Sequence, residues 1–526
     1  MSALQLLLVL DPAEPAHQTL AGRLKSRLVS GEHLRCEAWS TWSPGPCRAP
    51  GSPGEQEIVL LLAPARWLRH QPTAALPPDV LPDVLLDVLV VAELCGRAAR
   101  ELGPGTALEA AARGEAACRF GVFRFARNAD LPLASLVQLA LPSLVRWRQH
   151  QRRCLLALAD ALLWWLRLCD ERQRLLPIAP LAEPLALLPA RAPALRARLS
   201  SRRRWLQGSL RQRWSSWRQP GPADWQIAIG RLAAGTDRVR IVHRLPPQGG
   251  DWFADPFLLA EGPNLWLFCE RWQAASRKGV IDLFAVRPQG LLPMGTVIEE
   301  PFHLSFPRVF RHAGSWWASV ESAAAGEVRL YRAESFPTGW RLERVLLSGQ
   351  AWIDPILLPA ETGGSGAGGW WLLVNSHPLP ALPGETASAL QLFHSPDLLH
   401  GPFEPHRASP LLLDSSCGRN GGLLQLDSGL IRVGQCTGLN NAYGESVQLR
   451  RIEALDGQCY RETPLLPGWL EELRRQLHAS HLHTLNNQGE WLALDWRPRA
   501  GAELKGTYRA STKQTLAMSP KFMAAK

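Results

Sequence analysis

The ten cysteines never form a C-x-x-C pair and never cluster with histidine at zinc-ligand spacing. That excludes a structural zinc module and a disulfide framework, and leaves reduced, mostly buried thiols. Asp11-Pro-Ala-Glu-Pro15 follows the first apolar run where a dinucleotide fold would carry G-x-G-x-x-G, so the phosphate-binding fingerprint is missing. The apolar stretch 154–168 is too short for a bilayer and contains Asp160 and Arg167. The run Leu6-Leu-Leu-Val-Leu10 has strand length and lacks both a charged n-region and a cleavage site, so no signal peptide is read there. These absences make the cytosol the expected compartment, with peripheral contact at the inner membrane left open. Neither a metal nor an organic cofactor is expected.

Lysine is scarce as well. Only 6 of the 58 basic residues are Lys, and the 52 Arg, with abundant Ala, Leu, Pro and Gly, read as codon usage of a GC-rich bacterium. The remaining basicity is local: residues 146–218 hold sixteen Arg against four acids, a net of +12, so the rest of the chain sums to about −1 within the total of +11. It starts with a helical run over 147–176, is broken by a Pro-rich stretch over 177–193, and resumes as a helix over 194–218. In that helix Leu195, Leu199, Leu206, Leu210, Trp214 and Trp217 share one face and Arg fills much of the rest. Two uses stay open, packing on a neighbouring domain or lying on an anionic membrane surface. No nucleic-acid module accompanies the charge, so no nucleic-acid partner is expected.

What is present describes a folded chain of two or three domains: 526 residues, 46% hydrophobic, 20% charged. The fold class is mixed. Apolar runs at 4–10, 57–62 and 83–91, with a helix over 17–28, predict a small α/β domain over 1–145. A basic helical linker covers 146–221, an all-β five-bladed propeller 222–500 and a flexible basic tail 501–526.

The propeller is read from a repeat. Asp255-Pro-Phe-Leu-Leu259, a turn at Glu261-Gly-Pro-Asn264 and Leu265-Trp-Leu-Phe-Cys-Glu270 form one hairpin. Phe306-Pro-Arg-Val-Phe310 with Trp316 to Glu321 repeats it, as do Asp354-Pro-Ile-Leu-Leu358 with Trp370 to Asn375, Gly421 to Gln425 with Leu430 to Gln435, and His481 to Leu485 with Glu490 to Asp495. Five hairpins, each with room for two more strands, predict five blades. Pairing about each turn sets Pro256 opposite Glu270, Pro307 opposite Glu321 and Gly421 opposite Gln435. Glu270, Glu321, Asn375, Gln435 and Asp495 then lie level with Asp255, Ser305, Asp354, Arg419 and His481, all aimed at one mouth of the channel. The same residue types serve equally well as corner and blade-closure groups that bond backbone.

Several stretches resemble the amino-terminal domain of plant glucosamine inositolphosphorylceramide transferases: Phe253-Ala-Asp-Pro-Phe-Leu258, His303-Leu-Ser-Phe-Pro307, Gly326-Glu-Val-Arg-Leu-Tyr-Arg-Ala333, Arg419-Asn-Gly-Gly422, Arg432-Val-Gly-Gln435 and Tyr443-Gly444. In that family, sugar transfer is attributed to a separate carboxy-terminal domain. The propeller also resembles the arabinanase and invertase type of glycoside hydrolase. That likeness implies Asp255, Asp354 and Glu321 as the catalytic carboxyls, with Glu321 as general acid, because glycoside hydrolysis needs one carboxyl protonated and one ionised. The order of acids around the blades differs from the hydrolases, and the second blade has Ser305-Phe-Pro where Asp-Pro would be expected. Gly121-Val-Phe-Arg-Phe-Ala-Arg-Asn-Ala-Asp130 resembles a strand and turn of formyltransferase-like domains without that family's Asn/His/Asp set, so no formyl transfer is expected. The expected ligand is a sugar or glycoconjugate. The protein would be a carbohydrate-active enzyme (glycosyl transfer or glycoside hydrolysis), a glycosyltransferase partner, or a non-catalytic scaffold or membrane-binding module. Trp252 and Trp352 are candidate stacking surfaces, Arg419 a clamp for an anionic group, and Glu270, Ser305, Gln435 and His481 further binding groups.

Overall fold

An apolar hairpin that alternates inward on both faces must be sandwiched between two others, and five such hairpins solve this by closing into a ring. The computed structural model describes residues 225–499 apart from 233–237, 361–367, 380–387 and 439–441. Before them it describes residues 5–10, 15–29, 32–38, 57–62, 87–95, 98–101, 117–125, 133–142, 147–171, 186–188, 199–200, 203 and 206–207.

Five antiparallel sheets make up the propeller. Blade 1 runs from its inner strand Trp252–Glu261 through Asn264–Gln273 and Lys278–Arg287 to Gly290–Ile298 at the rim. Blade 2 repeats this with Ser305–His312, Ser315–Ser322, Glu327–Ser335 and Thr338–Leu347. Blade 3 has Ile353–Pro359, Trp370–Ser376 and Ala389–Ser395, and two short segments, Glu404–Pro405 and Leu412–Leu413, both pair with the third strand. Blade 4 comprises Arg419–Leu426, Gly429–Gly438, Ala442–Leu455 and Tyr460–Leu465. Blade 5 takes its inner pair, Ala479–Gln488 and Trp491–Pro498, from the carboxy-terminal end and its outer pair, Gln226–Leu232 and Val239–Leu245, from the start. The ring is therefore closed by strands from opposite ends of the domain.

Each pair of neighbouring blades shares one apolar cluster. Phe268 and Ile281 of blade 1 pack with Val320 and Tyr331 of blade 2. The next three seams are Leu330 with Leu372, Leu373 with Leu423, and Val433 with Leu482. The last, Ile227 and Ile229 with Phe253 and Leu267, joins blade 5 to blade 1. Tryptophan supplies much of the filling, with Trp371 and Trp496 almost wholly buried.

The inner strands are not straight. In blades 1, 2 and 3 the ladder slips between Ala254 and Phe257, Ser305 and Arg308, and Ile353 and Ile356. In each bulge one residue takes a left-handed backbone: Asp255 (φ 49°), Phe306 (φ 51°) and Asp354 (φ 49°). Proline follows each of them, and its missing N–H removes a ladder donor at that point. A tighter turn and the bulge, one position each, correct the register read from the turns. Glu270 lies opposite Ala254, Glu321 opposite Ser305 and Gln435 opposite Arg419, two positions earlier than Pro256, Pro307 and Gly421.

In the amino-terminal part, Gln5–Leu10 pairs in parallel with His33–Ala38 and Glu57–Leu62, and Glu57–Leu62 in turn with Asp87–Cys95. The last of these lies four residues later than the strand predicted over 83–91. The helix Trp147–Glu171 packs on the helix Pro15–Lys25. Asp160, which interrupts its apolar run, is buried there and takes a two-pronged bond from Arg23 at 2.8 and 2.9 Å, while Arg167 reaches Glu32. Burial of that apolar face ties the start of the basic segment to the α/β layer rather than to a free linker. The motif 121–130 begins on the strand Ala117–Phe125, and its remainder lies outside the described residues. So do residues 501–526 and most of 177–198 and of the basic helix 194–218, of which Leu199 and Leu206 are described and exposed. Among the described residues no helix is long and apolar enough to cross a membrane.

Candidate functional site

All five inner strands start at the same end of the ring, and that end is polar. The bulge turns the Asp255 N–H onto Asp495 Oδ2 at 2.9 Å, and Asp255 Oδ1 accepts from Thr484 Oγ1 at 2.7 Å. His483 Nδ1 lies 2.9 Å from Asp495 Oδ2 and 3.6 Å from Asp255 Oδ1. Its Nε2 is 2.7 Å from the Tyr443 hydroxyl. Ligand atoms of Asp255, His483 and Asp495 lie within 4.8 Å of one another, the spacing of a metal site. Thr484 and Tyr443 hydrogen-bond the same groups, so Asp255, His483 and Asp495 belong to one hydrogen-bonded unit.

A second arm starts at Glu321, whose Oε2 accepts the Asp354 N–H at 2.8 Å. The Asp354 carboxylate takes the Arg419 Nε–H, with Gln435 Nε2 at 3.4 Å. The Arg419 guanidinium sits 5.0 Å over the Tyr443 ring, so Tyr443 joins the two arms, ring to one and hydroxyl to the other. Asn375 Oδ1 similarly accepts the Asn420 N–H at 2.8 Å. Three of the five strand-end residues, Glu321, Asn375 and Asp495, thus clamp the backbone of the following blade, and Gln435 bonds the Asn420 carbonyl at 2.6 Å within its own blade.

Burial governs the charge state. It raises the Asp255 carboxyl to about 6 against the pull of His483, with Asp495 and Asp354 adding to the rise. Glu321 is raised to about 8 by burial and then by the Asp354 charge. Glu270 goes well above the ordinary carboxylate range for the same reasons, burial first and the Asp255 and Glu321 charges next. Burial disfavours the His483 imidazolium, but Asp495 and Asp255 outweigh it, so its pKa rises. At neutral pH the site therefore holds protonated carboxyl groups beside an Arg-paired carboxylate, a mixture of donors and acceptors suited to hydroxyl-rich ligands.

The structure gathers Asp255, Glu321, Asp354, Arg419 and Gln435 into this cluster, with Glu270 close enough to feel its charges and Ser305 buried opposite Glu321. Trp252 is half-buried and stacks on Trp272 at 5.5 Å. Two assignments are corrected. Trp352 is 5% exposed, edge-on to Phe393 in the core between blades 2 and 3, with its N–H on the Ser348 carbonyl, so it offers no stacking face. His481 pairs across the ladder with Arg497 and bonds Ser480, while His483, two positions on, enters the cluster. A bulge between Leu482 and Leu485 moves the site position to His483 and Thr484. Sequence reasoning also missed Tyr443 as a site residue and Trp225, which packs 4.8 Å from the His483 ring. The Tyr443-Gly444 pair was the available signal: Gly444 has φ 64°, and a Cβ there would meet Trp225 at 3.0 Å.

Among solved structures, fructofuranosidase from Schwanniomyces occidentalis complexed with fructose overlays with TM-score 0.32 at 13% identity, covering 44% of this chain and 52% of that one. Cellvibrio cellulosa α-L-arabinanase complexed with arabinohexaose gives 0.31 at 14%, covering 41% and 78%. In sequence, glucosamine inositolphosphorylceramide transferase 1 of Oryza sativa subsp. japonica is 33% identical over 265 residues, 47% of this chain and 34% of the relative. The Arabidopsis thaliana protein of the same name is 34% identical over 230 residues, 43% and 28%. The chain spans about a third of the length of these curated relatives. The family match itself covers residues 246–490, from the approach to blade 1 as far as the last turn of blade 5. Over that segment the chain matches the family described as "Glucosamine inositolphosphorylceramide transferase 1, N-terminal".

Proposed function

We propose that the propeller recognises a sugar or glycoconjugate at the polar end of its inner strands, and that it serves glycan processing there as a binding partner of a glycosyltransferase. One observation carries the reading: Asp255, Glu321, Asp354, Arg419, Tyr443 and His483 form a single network that sets the neutral Glu321 carboxyl beside a paired Arg. Sugar hydroxyls are bound by such fixed donor–acceptor sets, usually beside an aromatic face. The test uses the full chain against a glycan array and a panel of sugar nucleotides. Asp255→Asn and Glu321→Gln, each close in shape to the native residue, are expected to weaken the ligand found by at least about tenfold, the effect of one misplaced buried hydrogen bond. Absence of any glycan or sugar-nucleotide ligand would overturn the reading.

Glycoside hydrolysis is a second reading, favoured by Glu321. A carboxyl titrating near 8 beside an Arg-paired carboxylate has the division of labour that acid-catalysed glycosidic cleavage needs. If it operates, turnover of aryl glycosides should fall as pH rises through about 8 and vanish in Glu321→Gln. Turnover unchanged in that variant would remove Glu321 from the chemistry.

A further inference from the structure

Glu270 lies toward the end of the second strand of blade 1, at the level of Glu321 and Asn375 in blades 2 and 3, yet it is bonded differently. Its Oε1 is buried without a hydrogen-bond partner, in a residue only 4% exposed. Gly279, across the ladder from Trp272, lets the backbone pass close to that oxygen: a Cβ there would come within 2.8 Å of Glu270 Oε1, 2.7 Å of His303 Cε1 and 2.4 Å of the Leu304 carbonyl. His303 arrives on the segment that enters blade 2. Its Nδ1 accepts the Gly279 N–H at 2.8 Å, which leaves the proton on Nε2, and Nε2 faces Glu270 Oε1 at 3.7 Å, too far for a direct bond. One hydroxyl oxygen can reach both atoms.

Aromatic surface adjoins this gap. Trp252 and Ala254 alternate onto one face of blade 1 together with their partners Trp272 and Glu270. The two indoles are parallel within 8°, and the Trp272 ring lies 5.7 Å from the His303 ring. Trp252, Trp272 and His303 all keep part of their surface open. We propose that Glu270, His303 and the Trp252–Trp272 stack form a subsite for one neutral sugar ring, with a ring hydroxyl bridging Glu270 Oε1 and His303 Nε2 and the apolar ring face on indole. This rests on the glycan-recognition reading above and adds a position and a ligand class to it. Anionic sugars are disfavoured, since Asp255, Asp495 and Asp354 all act on Glu270 and no partner cation bonds its free oxygen.

The test titrates the full chain with neutral methyl glycosides of hexoses and pentoses, and with methyl glucuronide as the anionic counterpart, following tryptophan fluorescence and calorimetry. Trp272→Ala and Glu270→Ala are each expected to weaken the neutral glycoside at least tenfold, and Glu270→Gln less than threefold, because the amide can still bridge. If the alanine variants lose their thermal transition, Trp272→Phe carries the test, with three- to tenfold weakening expected. Unchanged affinity in the folded Trp272 and Glu270 variants, with binding lost in Asp255→Asn, would overturn the subsite and leave the broader reading standing. Glucuronide binding as tight as the neutral glycoside would overturn the ligand class. Absence of binding by every glycoside and by every glycan and sugar nucleotide of the wider panel would overturn both.

Discussion

Deletion of residues 226–245 from the full chain is expected to abolish the cooperative unfolding of the propeller. Those residues are the outer half of blade 5, and Gln226–Leu232 pairs along Trp491–Pro498 from Trp496 to Trp491. They also carry Ile227, Ile229 and Leu245 into the seam with blade 1 and Val239 into the seam with blade 4. Four such side chains, at roughly 1.5–3 kcal/mol each, account for about 6–12 kcal/mol, comparable to the whole stability of a typical domain. The family match begins at residue 246, just after these strands, so a fragment cut to that boundary should fail in the same way. Near-ultraviolet circular dichroism during a thermal scan reads the result through the tryptophans at the seams. A deletion variant that kept a sharp transition within about 5 °C of the intact chain would show that the ring closes without them.

Glu321→Gln is expected to gain stability over the wild-type chain as pH rises, by roughly 4–5 kcal/mol at pH 9 and by little at pH 4. The unfolded carboxyl titrates near 4.5 and the folded one near 8, so the folded state holds the proton more tightly. The stability this provides is complete below about pH 4.5 and is lost as pH climbs through 8, at about 1.4 kcal/mol per unit of separation. Asp255, shifted from 3.8 to about 6, adds a loss of the same sign over a lower window, and the raised His483 adds another above 6.5. The melting temperature of the wild-type chain should therefore fall from pH 5 to pH 9, and the glutamine variant should fall less steeply. Parallel slopes would mean that Glu321 ionises without cost in the folded protein.

The blade count was legible because each hairpin announces itself twice, by alternating apolar residues and by a tight turn such as Ala313-Gly314, where both residues have positive φ. The level of the polar ring was legible for the same reason, since counting outward from a turn fixes the face of every residue. That counting fails at a bulge. The turns close one register position earlier than their expected centres and each bulge inserts one residue more, which together moved the pairing of Glu270, Glu321 and Gln435 by two, and the bulge in blade 5 exchanged His481 for His483. The Asp-Pro, Phe-Pro and Asp-Pro corners were visible, but nothing in a dipeptide states that its first residue adopts a left-handed backbone. Trp352 failed for a different reason. A tryptophan at a strand entrance reads alike whether it faces a ligand or the next blade, and only the neighbouring blade, here through Phe393, decides it. Pairings between distant segments, such as Asn486 with the Pro256 carbonyl, leave no local trace at all.

The seam that joins the two ends of the ring also sets an order of events on the ribosome. Arg231 and Glu490, which form an ion pair where the two halves of blade 5 meet, are 259 positions apart. At about 5–20 residues per second the earlier strand waits roughly 13–50 s for its partner to be made. Through that interval Gln226–Leu232 lacks its partner strand Trp491–Pro498, and the nascent edge is open to any other strand. Arg231, Arg240 and Arg244 interrupt these two strands, and arginine on an unpaired edge discourages the wrong docking. Part of the arginine in this chain thereby guards a half-built blade until translation delivers the other half.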